Sequence, residues 1–178
     1  MTGFLLAGRY CADCLPADWR EQLTEMLGAR PRRIGIWAEL ALYGALRCMA
    51  SAGERQLPAT AGLLLSSRHG PCAAMRTLLE QSRDELPMPM GFLQAQPGQA
   101  LATIAAQLAW IGDARFVAAA EPNAVLRLAA ALGHEDGVLI GWVDEYEVPS
   151  SVWLRLKPDR NATRAARSSL DFSSLCNA

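Results

Sequence analysis

Apolar residues along this chain follow two spacings, and the shorter one predicts the strands. Residues 61–66 are almost uninterruptedly apolar between polar flanks, which is typical of a strand buried on both faces. Near the end of the chain Val152, Leu154 and Leu156 alternate with Trp153, Arg155 and Lys157, which predicts a half-exposed strand. With the other short apolar segments included, the predicted strands are residues 4–10, 61–66, 116–120, 138–143 and 152–157.

Helical spacing predicts the segments between the strands. Asp18 and Glu21 have the spacing of a capping box for a helix that ends at Gly28. A second helix, over residues 37–52, has a face of small residues that lets another element approach closely. Further helices are predicted over 72–81, 101–111 and 124–132, and a loop over 85–99, which is rich in Pro, Met and Gly. The apolar spacing places Trp19, Leu23, Met26 and Leu27 on one face of the first helix and directs Met75, Leu78 and Leu79 of the third helix inward. It marks the fourth helix by Leu101, Ile104, Ala105, Leu108 and Ile111.

Strands and helices alternate in the order βαβαβαββ, with extra helices in the connections. This alternation predicts an α/β fold with a mainly parallel sheet and helices on both faces. A short turn over 145–150 joins the last two strands, which predicts an antiparallel terminal hairpin. After Lys157 the chain is rich in Ser, Arg and Asn, so we expect one domain over residues 1–157 and a polar C-terminal tail over 158–178.

Composition adds a prediction about partners. Of the 178 residues 51% are hydrophobic, which is enough for a core and suits a domain that covers part of its surface with a partner. The 17 Lys and Arg residues are balanced by 18 Asp and Glu residues, so we expect no nucleic acid partner. No stretch reaches the roughly 18 apolar residues of a membrane span, and the apolar patch at residues 4–7 lacks the basic flank of a secretory signal.

The five cysteines do not match a disulfide framework or a metal site. Cys11 and Cys14 form a C-x-x-C pair that invites a zinc or redox interpretation. Zinc needs two further ligands at matching spacing, and no second C-x-x-C or histidine pair is present. A redox motif opens a helix after a core strand, whereas Leu15 and Pro16 intervene here. We therefore predict no metal, no cofactor and a cytoplasmic protein, and the role of Cys11 and Cys14 stays open.

Several segments between residues 35 and 145 occur in a distinctive order. Residues 92–98 read F-L-Q-A-Q-P-G with T-I at 103–104, residues 116–126 read F-V-A-A-A-E-P-N-A-V-L, and residues 133–145 read G-H-E-D-G-V-L-I-G-W-V-D-E. In this order they resemble the N-x-P-G…S-I segment, the nucleophile strand and turn, and the G-x-x-D-x-x-x-x-G-G-x-[ED] strand of β-ketoacyl synthases. The resemblance implies a thiolase-like half fold. The turn Ser67-Arg68-His69-Gly70 favours the ketosynthase-like, chain-length-factor-like proteins of bacterial aryl polyene and xanthomonadin-type pigment biosynthesis.

The residue at the nucleophile position departs from this family. Ketosynthases use a cysteine at the strand-to-helix turn to form a thioester with the acyl chain, whereas the corresponding residue here is Glu121. A carboxylate cannot form that thioester stably. Family catalysis also needs two histidines, or a histidine and an asparagine, from the second half of a doubled fold, and this chain ends where that half would begin. The resemblance therefore implies a protein without condensing activity.

Glu121 has two interpretations. In the electrostatic one, a carboxylate just before Pro122 gains about 0.3–1 kcal/mol from the dipole of the following helix. In the other, Glu121 is the vestigial nucleophile position of a chain-length-factor-like protein. His69 is the other catalytic candidate, and the alternative is that it serves only as a turn residue.

The resemblance implies two classes of function. The first is a non-catalytic accessory subunit of a type II fatty-acid or polyketide system, which assembles as a homodimer or with a full-length ketosynthase. The second is a small hydrolase or decarboxylase of acyl thioesters, with Glu121 or His69 as base. A further function to consider is binding of an acyl carrier protein through Arg30, Arg32 and Arg33; the alternative is that these arginines lie in a solvated loop. In the family the strand before the nucleophile pairs with its dimer mate, so the expected contact residues are Phe116, Val117, Ala118, Ala119 and Ala120.

Overall fold

The strands and helices follow the predicted order. The structure, a computed structural model, describes residues 3–12, 14–83, 89–159 and 171–177. Its strands are β1 (Gly3–Ala12), β2 (Gly62–Ser67), β3 (Ala114–Ala118), β4 (Val138–Asp144) and β5 (Ser150–Asp159). Its helices are α1 (Trp19–Leu27), α2 (Ile36–Ser51), α3 (Cys72–Arg83), α4 (Pro89–Gln94), α5 (Pro97–Gln107), α6 (Pro122–Leu132) and α7 (Phe172–Asn177). The order βαβαβαββ is confirmed, with extra helices before β2 and β3 and one after β5.

The described strands form one mixed sheet in the order β1-β5-β4-β2-β3. β2 pairs in parallel with β3 and β4, while β5 pairs antiparallel with β4 and β1. Four strands therefore run in one direction and β5 in the other. This confirms the α/β class, the mainly parallel sheet and the antiparallel terminal hairpin, and it places β1 and β3 at the two edges.

Alternate side chains of the central strands enter two separate cores. Leu63 and Leu65 of β2 pack with α1, α2 and α5 on the first face. Leu64 packs with α6 and α7 on the second face. Each fully buried leucine contributes about 1.5–3 kcal/mol relative to an exposed one, so the unbroken apolar run of β2 is explained by burial from both sides. Helices on both faces of the sheet are confirmed.

The indole of Trp153 seats α2 on the sheet. Trp153 of β5 is fully buried, and a Cβ atom at Gly44 of α2 would stand 2.3 Å from its Cδ1. A Cβ atom at Gly141, its partner in β4, would stand 2.4 Å from its Cζ2. The indole nitrogen donates to Ser151 Oγ at 3.2 Å, and that hydroxyl donates to the Leu40 carbonyl of α2 at 2.9 Å. The small face predicted for the second helix is thus the contact surface of a tryptophan.

Strand β5 corrects the expectation of a half-exposed last strand. Residues 151–156 are all buried, because β5 lies between β1 and β4 and helices cover both faces. Arg155 has no exposed side-chain surface, and its Nε donates to Glu54 Oε2 at 2.7 Å. Lys157 Nζ lies 2.7 Å from Glu54 Oε1. An ion pair therefore takes the place of solvent around the Arg155 guanidinium.

Several predictions about the helices are wrong. Helix α1 begins at Trp19 as predicted, but Asp18 makes no side-chain cap bond and its Oδ1 accepts from Gln22 Nε2 at 3.0 Å instead. Helix α3 buries none of its residues, and its Met75 and Leu79, which were expected to face inward, are 48% and 63% exposed. An amphipathic pattern marks an apolar face but does not supply a partner for it. Met26 of α1 and Ile111 are also exposed rather than buried.

Several boundaries differ from the prediction. The expected loop over 85–99 contains α4 and the start of α5, where Pro97 suits the first helical position; residues 84–88 lie outside the described residues. Helix α5 ends at Gln107, so Ile111 lies beyond it. Strand β3 covers residues 114–118 rather than 116–120, and β5 continues to Asp159. Within the segment expected as a polar tail, α7 buries Phe172 against the second core.

Candidate functional site

The C-terminal ends of the three parallel strands β2, β3 and β4 lie side by side, at the end of the sheet that runs across the strands. β2 ends at Ser67, β3 at Ala118 and β4 at Asp144. The connections that leave β2 and β3 lie on opposite faces, since α5 packs in the first core and α6 in the second. In open α/β sheets, ligands bind in the crevice that such a divergence creates. The candidate site is therefore the region at the C-terminal ends of β2, β3 and β4.

Glu121 occupies the turn between β3 and α6, as predicted. It is the N-cap residue of α6, with extended backbone angles and no side-chain cap bond, and Pro122 follows at the start of the helix. Glu121 Oε1 accepts from Arg127 Nη2 at 2.9 Å, and the two side chains are 59% and 68% exposed. Glu121 is therefore a solvated carboxylate paired with an arginine of its own helix.

Arg68 ties the turn after β2 to the turn after β3. Its Nη2 and Nε donate to the Ala120 carbonyl at 2.7 and 3.3 Å. The N–H of Ala119 donates to the Ser67 carbonyl at 3.2 Å, which extends the strand pairing beyond β3. Arg68 belongs to the Ser67–Gly70 turn noted in the sequence, but its bond to Ala120 was not predicted, because a bond to a backbone carbonyl depends only on where the two turns meet.

His69 lies beside Asp144, but the cluster does not have the order of a serine triad. Ser67 Oγ donates directly to Asp144 Oδ1 at 2.8 Å and accepts the N–H of Gly70 at 2.8 Å. His69 Nδ1 is 3.4 Å from the same Oδ1, and its ring lies 4.8 Å from the ring of Tyr146. In a triad the imidazole stands between the hydroxyl and the carboxylate. Here the hydroxyl and the carboxylate hold the turn instead, and no bond in the described part of the chain joins His69 to Glu121.

Glu145, which sequence reasoning did not single out, anchors the start of α3. Its Oε1 accepts the N–H of Ala73 at 2.7 Å, and it lines a cleft of about 290 Å³. Burial raises the pKa of the Glu145 carboxyl. Burial, together with this carboxylate, raises the pKa of the Cys72 thiol. Since the thiolate is the reactive form of cysteine, Cys72 is not activated as a nucleophile.

The three arginines predicted as a binding loop share one surface. Arg30, Arg32 and Arg33 are exposed and line a groove of about 660 Å³ together with Arg20. Arg20 pairs with Glu39 at 3.2 Å, whereas no ion pair engages the other three within the described ranges. The segment that precedes α2 therefore presents three exposed positive charges to solvent.

Strand β3 forms one edge of the sheet. It pairs with β2, and no described strand lies on its other side. Phe116 packs edge-to-face on Trp37 at 5.8 Å, which supports the strand from the first core. The N–H of Ala119 bonds to β2, and backbone groups alternate in direction along a strand. The N–H of Ala118 therefore faces the outer edge.

Cys11 lies in β1 and Cys14 two residues beyond its end; both are exposed and neither is in a disulfide. Over the residues for which positions are described, no three His, Cys, Asp or Glu side chains are grouped closely enough to hold a metal ion. Likewise, none of the described helices has the length and apolar character needed to cross a membrane.

Sequence comparisons identify no relative. No known protein family matches the chain, and no curated protein matches it either.

Comparison with solved structures finds clear matches in fold. A chain of the ketosynthase ApeO in complex with its chain length factor ApeC, from Xenorhabdus doucetiae, matches with a TM-score of 0.60 at 16% identity, over 90% of this chain and 79% of that one. The ishigamide ketosynthase/chain length factor matches with a TM-score of 0.62 at 15% identity, over 88% of this chain and 58% of that one.

A type II polyketide synthase complex, AntDE with its acyl carrier protein AntF, matches with a TM-score of 0.66 at 12% identity. That match covers 88% of this chain and 58% of the other. This chain thus spans somewhat more than half the length of two of the matched chains. The ketosynthase-like, thiolase-like fold predicted from the sequence is confirmed.

Proposed function

We propose that this chain is a non-catalytic, ketosynthase-like subunit of a type II fatty-acid or polyketide synthase, which acts by assembly with a condensing enzyme or a carrier protein. Glu121 carries the proposal. The turn between β3 and α6, where a condensing enzyme holds its cysteine, presents a carboxylate paired with Arg127. Covalent catalysis at that turn needs a thiolate. The resemblance of the Ser67–Gly70 turn extends the proposal to aryl polyene or xanthomonadin-type pigment biosynthesis.

The raised pKa values of the Cys48 and Cys72 thiols support the proposal. Burial raises the pKa of the Cys48 thiol to about 12, and the pKa of the Cys72 thiol is raised as well. Neither thiol is a thiolate near neutral pH. Cys176 of α7 lines a groove of about 380 Å³ together with Pro122, so Cys176 is the thiol to test for residual chemistry.

The second candidate function is an acyl-thioester hydrolase or decarboxylase. The observation that favours it is the 3.4 Å contact between His69 Nδ1 and Asp144, because a carboxylate partner is the usual way to orient a histidine base. Glu121 is the other candidate base.

Replacing Glu121 by alanine is expected to leave the free energy of unfolding within about 1 kcal/mol, because the ion pair with Arg127 is exposed. It is also expected to cause no loss of acyl-thioester turnover. Urea unfolding and thiol release from an acyl-CoA measure the two quantities, with His69→Ala and Cys176→Ser assayed in parallel. Turnover by the parent that falls tenfold or more in any of these variants, with unfolding unchanged, would contradict the proposal and favour the hydrolase or decarboxylase.

Assembly is proposed to use β3, either with a second copy or with a full-length ketosynthase. An edge strand presents unpaired N–H and C=O groups that a second strand can complete. In an antiparallel pair of two copies centred on Phe116, Ala114 faces Ala118 and Arg115 faces Val117, so no like charges meet. The exposed side chains at Ala114 and Ala118 are small enough for close approach.

Replacing Ala118 by proline tests this contact. Proline removes the outward N–H and leaves the bonds to β2 in place, so the fold is expected to persist while assembly is lost. Sedimentation of the chain alone, and mixed with a full-length type II ketosynthase, measures assembly. Ala118→Ser keeps the N–H and serves as the matched control. A parent chain that stays monomeric and binds no ketosynthase at micromolar concentration overturns the assembly role.

A carrier protein is the further proposed partner. Acyl carrier proteins are acidic, and the groove lined by Arg30, Arg32 and Arg33 presents positive charge without ion-pair partners in the described part of the chain. Charge complementarity of this kind steers encounter and fixes orientation. The loop therefore supports carrier-protein docking on the same subunit that carries the β3 edge.

A further inference from the structure

Helix α7 lies on the second face of the sheet, against β1, β5 and α6. Of the described helices, α6 and α7 are the ones that contribute to the second core. Helix α7 has six residues, and Phe172 is the one that it buries. Leu175 and Cys176 pack against the same core while remaining partly exposed.

Polar contacts hold α7 at its two ends. Asn123 of α6 donates through Nδ2 to Asp171 Oδ1 at 2.6 Å, and its Oδ1 accepts the N–H of Phe172 at 2.8 Å. Asp171 Oδ2 accepts the N–H of Ser174 at 3.0 Å, which caps the helix. At the other end Arg9 Nη1 donates to the Leu175 carbonyl at 3.5 Å. None of these bonds belongs to the pairing of the sheet, so the hydrogen bonds between strands do not depend on α7.

Helix α7 is held by far fewer buried contacts than strand β5, on which it packs. The central part of β5 is buried on both faces and pairs along its length with β1 and β4. Helix α7 contributes one buried side chain, and an isolated helix of this length is unstable in water. Segments with few buried contacts open locally at a fraction of the free energy of global unfolding. We therefore expect α7 to unfold locally at a lower free energy than the sheet.

Release of α7 would change what the second face presents. Phe172 and Cys176 form one side of the groove of about 380 Å³ whose other side includes Pro122, Trp142 and Val152. Without α7, the apolar side chains on that other side face solvent. The groove adjoins the start of α6, and thus the turn that holds Glu121.

We propose that residues 171–177 form a strap that docks and releases as a unit while the sheet stays folded, and that its release opens the groove beside Pro122. The proposal concerns a motion of this chain alone and does not depend on the identity of a partner. It adds a conformational control to the face next to the candidate site.

The labelling rate of Cys176 by iodoacetamide tests the strap in the full chain, with each cysteine resolved by mass spectrometry. Cys48, fully buried in the first core, reports global unfolding. Below the urea midpoint, the rate at Cys176 is expected to depend only weakly on urea, whereas the rate at Cys48 rises steeply with urea because it follows global unfolding. Phe172→Ala is expected to raise the rate at Cys176 a further tenfold and to leave the rate at Cys48 unchanged.

Ser173→Ala, an exposed position of the same helix, is the matched control and should change neither rate. Asp171→Ala releases α7 from its polar side and repeats the test if Phe172→Ala does not fold. Identical urea dependence at Cys176 and Cys48 would show that α7 opens only with global unfolding and would overturn the strap. Such a result leaves the β3 assembly experiment unaffected, because Ala118→Pro does not touch α7.

Discussion

Replacing Glu54 by glutamine is expected to lower the free energy of unfolding by about 3–5 kcal/mol. The Arg155 side chain has no exposed surface, and Glu54 accepts from its Nε at 2.7 Å. Its Nη1 donates to the carbonyls of Asp136 and Leu156, both at 3.0 Å, and its Nη2 has no partner among the described residues. Among the described residues, Glu54 is thus the carboxylate that is bonded to the Arg155 guanidinium. With glutamine at position 54, the positive charge of Arg155 stays buried with no negative charge beside it.

Glu39→Gln is the matched control for this substitution. Glu39 also pairs with an arginine, Arg20, but the Arg20 side chain is 44% exposed. A surface pair of this kind contributes about 0–1 kcal/mol. Urea unfolding of the two variants measures the difference, and a loss for Glu54→Gln within 1 kcal/mol of that for Glu39→Gln would contradict the prediction. Adding Arg155→Met to Glu54→Gln should recover much of the loss, because it removes the unpaired charge.

The same ion pair predicts a dependence of stability on pH. Burial by itself raises the pKa of Glu54, but the hydrogen bonds and charges of Arg155 and Lys157 outweigh burial and hold the pKa below its usual value. A pKa depressed in the folded state stabilises the protein above the pKa of the unfolded chain. That stability is lost as the pH falls through the lower folded value. Unfolding curves across the acid range should therefore converge for parent and Glu54→Gln.

The elements predicted correctly are those that local sequence decides. Gly28 and Gly133 end α1 and α6 in the left-handed conformation that glycine adopts without strain, with φ of +71° and +64°. The apolar run of β2 needs only its own composition to mark a strand buried on both faces. The burial of β5 differs from the prediction because β1 and β4 flank it, helices cover both faces, and Glu54, 101 positions away, pairs with the buried Arg155. Spacing along one strand carries no information about such a partner.

In the candidate site, too, local sequence predicts some features, and others depend on residues far apart in the sequence. Glu121 was placed at the turn correctly, because the order of strand, turn and helix is local. The bond from Arg68 to Ala120 spans 52 positions and that from Ser67 to Asp144 spans 77. Both depend on which strands are neighbours in the sheet. The exposed apolar residues of α3 follow the same rule, since periodicity predicts an apolar face and only the fold decides whether it is covered.

Replacing Gly44 by alanine is expected to lower the free energy of unfolding by about 3 kcal/mol, at the upper end of the range for overpacked cores. The new Cβ atom would stand 2.2 Å from Ser151 Oγ and 2.3 Å from Trp153 Cδ1. Trp153 cannot retreat, because its ring already contacts the backbone position of Gly141 on the neighbouring strand. Ser151 cannot retreat without losing its bond to the Leu40 carbonyl. Helix α2 must therefore lift from the sheet.

Gly98→Ala is the matched control, because a Cβ atom at Gly98 of α5 meets nothing within 4 Å. Alanine there should be neutral or stabilising by up to about 1 kcal/mol. Equal urea midpoints for the two variants would contradict the prediction. A lifted α2 also disturbs Trp37, whose indole donates to the Val143 carbonyl at 3.0 Å and whose ring packs on Phe116 of β3. Gly44→Ala should therefore weaken assembly through β3 in sedimentation more than Gly98→Ala does, even at temperatures where both variants remain folded.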